Sequence, residues 1–476
     1  MQNILSVGID VGTSTTQLVF SKISMENTSG YFTVPRISVV GKDIIYKSEI
    51  YITPLATETI IDGAKIKEIV AREYSKAGIS RDDVDTGAVI VTGESSRKEN
   101  AEEVIKNLSE FAGDFVVSTA GPDLESVIAG KGSGAYTYSM DNDCVVVNLD
   151  VGGGTTNIVV FDSGTVVSKS CFNIGGRLLK FDDNSVCTYV SPAAQIIADA
   201  IGADITKGRT VSEKDLKALT DKMAELLCQS LGLAEKESLL EKVRTRESSV
   251  LSLPGRKISR VFFSGGVADC IENDYPNPLY FGDIGVYLGK SIKRSPLFES
   301  GLAVSGDETI RATVVGAGTY TTSISGSTID YSSSVLPLKN IPALKLDDGE
   351  QELCFNGDYS FLADKIRWFQ SQSSSETIVV AMPGLNNPGY QQIRKLAECF
   401  SRAFNEALPS NVPALIILEN DMAKALGLYI KTELKSDHCL VCIDGLKVDY
   451  GDYVDMGRPV MGGLVIPVII KTLVFG

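Results

Sequence analysis

The sequence predicts an α/β protein in which two similar halves face each other, followed by a separate C-terminal unit. Three observations predict it. One phrase occurs twice: Ile9 to Phe20 reads I-D-V-G-T-S-T-T-Q-L-V-F, and Leu149 to Phe161 reads L-D-V-G-G-G-T-T-N-I-V-V-F. Around the two copies, apolar strand-like runs alternate with amphipathic helical runs, the order of a sheet covered by helices. At 476 residues the chain also exceeds the ~250–300 residues at which a single core stops growing, so two or three domains are expected.

The repeated phrase carries the chemistry. In each copy an apolar run enters a Gly-containing turn and leaves on a second apolar run, which reads as a β-hairpin. Gly12 in the first turn, and Gly152, Gly153 and Gly154 in the second, let backbone N–H groups come close to phosphate oxygens. Thr13, Ser14, Thr15 and Thr155 add hydroxyl donors. Asp10 and Asp150 would repel phosphate, so their expected partner is Mg²⁺, a hard cation with oxygen ligands. One D-x-G-x-x-T alone is usually a polar turn. Two copies, each between strands, suit a pair of domains that grip a nucleotide's phosphates from both sides.

Composition narrows the class. Hydrophobic residues make up 43% and charged residues 22% of the chain, as in globular proteins. A net charge of −15 argues against nucleic acid or an anionic membrane as a main partner. No apolar run reaches the ~18 residues of a membrane span. Met1 to Leu5 passes straight into the first strand without a charged leader region, so no secretory signal is expected. The nine cysteines form no disulfide framework, and a reducing, cytoplasmic setting is expected. Cys439 and Cys442 have redox or zinc spacing, but they sit in a strand-like run without a second pair, which favours core packing. His438, the single histidine, reads as an exposed strand-end residue.

The elements follow in order. After the first hairpin, residues 31–54 read as β-rich, with Ile37, Val39, Ile44, Ile45, Ile50 and Ile52 as the apolar positions. A helix is expected from about Asp62 to Ala77, with Ile66, Ile69, Val70 and Tyr74 on one face. A strand over Ala88 to Thr92, a helix over Glu99 to Phe111 and a strand over Phe115 to Ser118 complete the half. Asp141 to Asp143 reads as the boundary turn. The second half restarts with its hairpin, then turns helical from Ser191 to Val243 with a break at Gly202. The strand Val261 to Ser264 leads into Gly265 and Gly266, whose bare backbone suits a flat purine. Small residues at 125–134 and 312–318 would let two helices cross closely, a hinge pair between the halves. Beyond Ser325, residues 332–335 and 371–375 read as exposed polar loops. Strands are expected at Ile378 to Met382, at Ala414 to Leu418 and within Val454 to Phe475, and a helix over Tyr390 to Leu408. The expected division is 1–143, with an inserted β-rich segment near 31–54; 144–325, with a helical insertion at 191–250; and 326–476, a C-terminal α/β unit.

Taken together, the two hairpins, the Gly265-Gly266 turn and the two small-residue helices resemble the actin-like ATPase superfamily. That resemblance implies two ribonuclease-H-like halves around a nucleotide cleft, with a β-rich C-terminal addition. Further runs are similar to the family of ethanolamine ammonia-lyase reactivating factors. They are S-V-G-I-D-V-G-T-S-T-T-Q at 6–17, V-T-G-E-S at 91–95, G-P-D-L-E-S-V-I-A-G at 121–130, N-I-G-G-R-L-L at 173–179, R-A-T-V-V-G-A-G at 311–318, and the tail at 451–468. The similarity extends over nearly the whole chain.

The resemblance implies a chaperone-like factor that uses ATP and Mg²⁺, with weak ATPase activity serving the cycle. Its partner would be ethanolamine ammonia-lyase, from which it would release damaged cobalamin so that intact adenosylcobalamin rebinds. It implies that Asp150, Glu125 and Thr92 surround the metal with Asp10 facing them, and that both loops hold the phosphates of ATP or ADP. Asp10, Glu125 and Asp150 are thus the candidate catalytic residues. A water-positioning lysine is not evident; Lys65 and Lys98 are the nearest candidates. An actin-fold small-molecule kinase is the alternative, but no segment offers its substrate pocket. A filament-forming protein with a membrane-binding tail is a third class, and the strand-like C-terminus does not suit it. The sequence leaves open whether the chain forms a homodimer or enters a bacterial microcompartment.

Overall fold

The computed structural model describes residues 2–12, 15–28, 37–57, 59–92, 95, 98–112, 116–120, 122–245, 248–306, 308–320, 323–326, 328–373, 375–434 and 438–472. The first half contains β1 (Gln2–Val11), β2 (Thr15–Asn27), β3 (Ile37–Lys47), β4 (Tyr51–Ile52), α1 (Gly63–Ala77), β5 (Thr86–Val91), α2 (Ala101–Ala112) and β6 (Val116–Ala120). Helices α3 (Pro122–Gly132) and α4 (Ala135–Asp141) lead into the second half. That half has β7 (Val145–Val151), β8 (Thr156–Asp162), β9 (Thr165–Phe172), β10 (Leu179–Phe181), β11 (Cys187–Val190), α5 (Pro192–Ile201), α6 (Glu213–Ser230) and α7 (Ser238–Val243). It ends with β12 (Ile258–Ser264), α8 (Gly266–Glu272), α9 (Gly285–Lys293), α10 (Pro296–Glu299), β13 (Ala303–Ser305) and α11 (Ala312–Tyr320).

The two halves repeat one topology. The first sheet runs β3-β2-β1-β5-β6, with β4 added beside β2; the second runs β9-β8-β7-β12-β13. In each, a three-stranded antiparallel meander is extended by two parallel strands. The hairpin registers correspond: Asp10 lies opposite Gln17, and Asp150 opposite Asn157. This is the two-half α/β architecture of the actin-like fold. Residues 31–36 lie outside the described residues. The rest of the β-rich stretch supplies β3, which pairs with β2 as β9 pairs with β8, so this strand belongs to the repeated sheet. As an edge strand it leaves Val39 and Ile45 exposed, with Ile50 and Ile52 exposed beyond it. The apolar alternation marked a strand but not a covered face.

Helix α1 begins where Asp62 accepts from the Lys65 N–H and stops at Gly78 in the left-handed conformation. Its face of Ile66, Ile69, Val70 and Tyr74 is buried, as the periodicity predicts. Gly202 ends α5 in the same left-handed way.

The helices that join the halves exchange sides. Helix α3 follows the first sheet but packs on β7 and β8 of the second, while α11 follows the second and packs on β1, β2 and β5 of the first. They cross at glycines. A Cβ on Gly132 would collide with the carbonyl of Ala312, and one on Gly316 with that of Ile128.

The C-terminal unit is built on an eight-stranded sheet. Its elements are β14 (Ser323–Ile324), β15 (Asp330–Tyr331), β16 (Leu338–Lys345), α12 (Asp348–Asn356), α13 (Tyr359–Ser373), β17 (Val379–Met382), α14 (Tyr390–Ala407), β18 (Ala414–Leu418), α15 (Ala423–Glu433), β19 (Leu440–Ile443), β20 (Asp452–Met456) and β21 (Pro467–Thr472). The order is β14-β21-β20-β16-β17-β18-β19-β15, with β16 to β19 parallel. Alternate residues of these strands serve two cores. Val380 and Ile416 pack with the helices, and Val379 and Leu415 pack with Val454 and Ile466. Among the described residues the unit carries four α-helices, α12 to α15, beside this sheet. Ser371 and Ser373 close α13 and do not form a loop. Residue 374 and residues 473–476 lie outside the described residues.

The unit also touches the crossing. Ile469 of β21 is buried with Ala88 and Ile90 of β5, Ile128 of α3 and Ala317 of α11. Cys442 is buried in β19, consistent with core packing, and burial pushes its thiol well above its usual range. His438 is half-buried, not exposed: its Nδ1 meets the Val412 carbonyl oxygen at 3.3 Å. Among the described residues no helix is long and apolar enough to cross a membrane.

Candidate functional site

Asp10 and Asp150 stand near the ends of the equivalent strands β1 and β7 of the two sheets, and both side chains are buried. The Thr92 hydroxyl, just past β5, donates to Asp10 Oδ1 at 3.0 Å. The Ser264 hydroxyl, at the end of β12, donates to Asp150 Oδ1 at 2.7 Å. Burial pushes the Asp10 carboxyl up to about 7 against the opposing pull of Thr92, and the Asp150 charge pushes it further. Burial likewise pushes Asp150 up to about 6, opposed by hydrogen bonds from Ser264 and Asn157. The Asp150 charge is thus felt at Asp10, although the two come from strands far apart in sequence.

The turns that follow have matching internal geometry. The Gly12 N–H donates to the Thr15 carbonyl at 2.8 Å, and the Gly152 N–H to the Thr155 carbonyl at 2.9 Å. Each turn is then fastened from behind. The Gly12 carbonyl accepts the hydroxyls of Thr53 at 2.7 Å and Ser95 at 3.0 Å. The Gly152 and Gly153 carbonyls accept the N–H groups of Gly176 at 3.0 Å and Arg177 at 2.6 Å. With these carbonyls turned back, the N–H groups of Gly153, Gly154 and Thr155 have no acceptor among the described residues, and all three residues are half-exposed. A row of free donors of this kind is an anion cradle. Thr13 and Ser14 lie outside the described residues.

The turn after β12 leaves backbone bare. Gly265 has φ +86°, and a Cβ there would collide with the Val151 carbonyl, so only glycine fits. Its N–H donates to Thr309 at 3.0 Å. A Cβ on Gly266, the first residue of α8, would meet nothing within 4 Å, leaving room for a flat ring.

Glu125 is half-buried near the start of α3. Among the described residues no group of three or more His, Cys, Asp or Glu gathers into a metal cage. Mg²⁺ does not require one; it is ordinarily held by one or two carboxylates together with substrate phosphates and waters. Two carboxylates whose burial raises their proton affinity fit a divalent cation, whose charge would favour both ionised forms. Lys65 pairs with Asp62 at 2.9 Å at the start of α1, and Lys98 lies in the turn before α2.

Several residues of the site were missed from sequence. Thr53, Gly176, Arg177, Ser264 and Asn148 support the turns or Asp150. One signal was available for Asn148, a lone amide inside the apolar run 145–149. Another was the G-G-R run at 175–177, quoted above but given no role.

The family described as "Ethanolamine utilisation protein EutA" matches residues 2–476 of the chain. The protein named ethanolamine ammonia-lyase reactivase EutA from Salmonella typhimurium is 35% identical over 476 residues, covering 100% of this chain and 99% of that protein. Its namesake from Escherichia coli is 34% identical over 475 residues, with the same coverage. Among solved structures, the Ppx/GppA phosphatase of Aquifex aeolicus aligns over 66% of this chain and 99% of its own, with 15% identity and a TM-score of 0.37.

Proposed function

The chain belongs to the ethanolamine utilisation protein EutA family, and from that premise we propose that it is an ATP-dependent, chaperone-like reactivating factor for ethanolamine ammonia-lyase. It releases damaged cobalamin from the lyase so that intact adenosylcobalamin can bind. The observation that carries the reading is that one segment is bonded to both acidic turns: the Ile310 carbonyl accepts from Gln17, the ladder partner of Asp10, and the adjacent Thr309 carbonyl accepts from the N–H of Gly265, next to Ser264, which donates to Asp150.

In this reading Asp10, Asp150, Glu125 and Thr92 would hold Mg²⁺. The metal neutralises phosphate charge when bound. The N–H groups of Gly153, Gly154 and Thr155 take phosphate oxygens from one side, and the turn of Gly12, Thr13, Ser14 and Thr15 takes them from the other. Gly265 and Gly266 receive the purine. Nucleotide binding draws the halves together about the glycine crossing of α3 and α11, as expected of rigid bodies hinged at packed helices. The hinge motion needs only a difference in nucleotide affinity between open and closed states. Ile469 ties the C-terminal unit to that crossing, which gives the motion a route to a surface that meets the lyase.

The test uses the purified chain, lyase inactivated with its damaged cofactor, fresh adenosylcobalamin, ATP and Mg²⁺. Deaminating activity returns only when ATP and Mg²⁺ are both present. Recovery no greater than that of the ATP-free control would refute the proposal.

A further inference from the structure

Asp150 is the end of a buried polar chain that reaches the connecting helix. Ser264 donates to Asp150 Oδ1 at 2.7 Å, Asn148 Nδ2 donates to Ser264 Oγ at 3.0 Å, and Ser133 Oγ donates to Asn148 Oδ1 at 2.7 Å. Ser133, Asn148 and Ser264 are each 0% exposed. Water cannot replace a lost member, so the chain is kept whole or leaves buried groups unpaired.

The ionised carboxylate sets the direction of every bond. Asp150 only accepts, so the single Ser264 proton must point to it. The Ser264 lone pair then faces the Asn148 amide nitrogen. That fixes the Asn148 carbonyl toward Ser133, whose hydroxyl donates to it at 2.7 Å and has the Gly130 carbonyl at 3.2 Å as its other acceptor. Turning Ser264 or Asn148 breaks its neighbours' bonds.

The far end lies at the hinge. Ser133 directly follows α3, next to Gly132, whose α-carbon abuts the carbonyl of Ala312 in α11. Among the described residues the first half has no such chain. Two residues before Asp10 stands Gly8, where a Cβ would collide with the carbonyl of Val314, so the backbone of α11 fills the space that Asn148 fills in the second half. The relay is therefore particular to the second half and not a by-product of the repeated hairpin.

We propose that Ser264, Asn148 and Ser133 act as positioning residues that hold the Asp150 carboxylate for the metal–nucleotide complex and tie its orientation to the end of α3. This rests on the nucleotide reading given above. A side chain that orients a metal-holding group changes metal affinity by about 10–100-fold when removed. Coupled residues show non-additive losses.

Calorimetric titrations with Mg²⁺·ATP, and with ATP in the presence of EDTA, compare the wild type with Ser264→Ala, Ser133→Ala, the double variant and Ser264→Thr. Thermal unfolding of each unliganded protein runs in parallel. Ser264→Ala weakens Mg²⁺·ATP by about tenfold and metal-free ATP far less. Ser133→Ala gives a smaller loss in the same direction, the double variant is no worse than Ser264→Ala, and Ser264→Thr recovers binding. Equal losses with and without Mg²⁺, or additive losses in the double variant, overturn the relay. If the wild type takes no Mg²⁺·ATP, the nucleotide reading fails. The relay is then decided by the unfolding series, where non-additive losses support it and additive losses overturn it.

Discussion

Gln17 donates its side-chain amide proton to the carbonyl of Ile310 at 2.9 Å. Gln17 is the ladder partner of Asp10, and Ile310 lies just before α11. The first acidic turn is thus bonded to the start of one connecting helix, as the second is bonded through Ser133 to the end of the other. Replacing Gln17 with Met keeps the volume and removes the donor. Loss of this bond lowers unliganded stability by about 1 kcal/mol, readable in denaturant unfolding, and no change would show that the bond contributes nothing.

The crossing tolerates no side chain at its closest points. Gly316→Val forces a branched side chain against the Ile128 carbonyl and costs about 3 kcal/mol or more, since backbone has to move. Gly154→Ala is the counterpart, because a Cβ there meets nothing within 4 Å. It leaves the melting temperature unchanged but narrows the anion cradle, so ATP binds more weakly. A Gly154→Ala protein with unaltered ATP affinity would argue against phosphate at that turn.

Stability should fall as pH rises. Asp10 and Asp150 are pushed from 3.8 up to about 7 and about 6, so the folded state holds these protons more tightly than the unfolded chain. The stability they lend is complete below their ordinary value and is lost as pH climbs through about 6 and about 7. Asp444 of the C-terminal unit, pushed by burial to about 6, adds the same trend. The melting temperature of the unliganded protein therefore drops between about pH 4 and pH 7. Asp10→Asn flattens its share of the slope, and Mg²⁺·ATP opposes the drop by favouring the ionised forms. A melting temperature that rises over this range would contradict the burial of both acids.

Ile469 joins β21 to both connecting helices. Ile469→Ala opens a cavity at the junction and costs about 2–5 kcal/mol, measured by thermal or denaturant unfolding. A loss below about 1 kcal/mol would mean the C-terminal unit is only loosely docked there.

Much of the fold was legible because local chemistry and tertiary structure agree. The duplicated phrase gave both hairpins, and Asp62 and Gly202 gave helix ends where the structure has them. Small residues at 125–134 and 312–318 gave the crossing. What was missed depended on neighbours from elsewhere in the chain. The alternation of Val39, Ile45 and Ile52 has a strand's period, but nothing among the described residues covers that edge, and they are exposed. The serines that close α13 read as loop, because the helix is held by Leu362, Ala363 and Ile366 beneath it. The capping box of Asp347 and Glu350 that starts α12 is legible in the sequence as an acid followed three residues later by Glu. In the site, both acids and the glycines stood out through repetition. Ser264, Asn148 and Ser133 did not, since their partnership spans three separate segments.

The claim on which the function depends is that Asp10 and Asp150 share one metal–nucleotide complex. Its most direct measurement is the Mg²⁺ dependence of ATP affinity in the wild type, Asp10→Asn and Asp150→Asn, taken by calorimetry. The account predicts that Mg²⁺ tightens ATP binding in the wild type and that either substitution removes at least about tenfold of that gain. Metal-free ATP should bind either variant as well or better, because a like charge is gone. Two variants that bind Mg²⁺·ATP as the wild type does would contradict it.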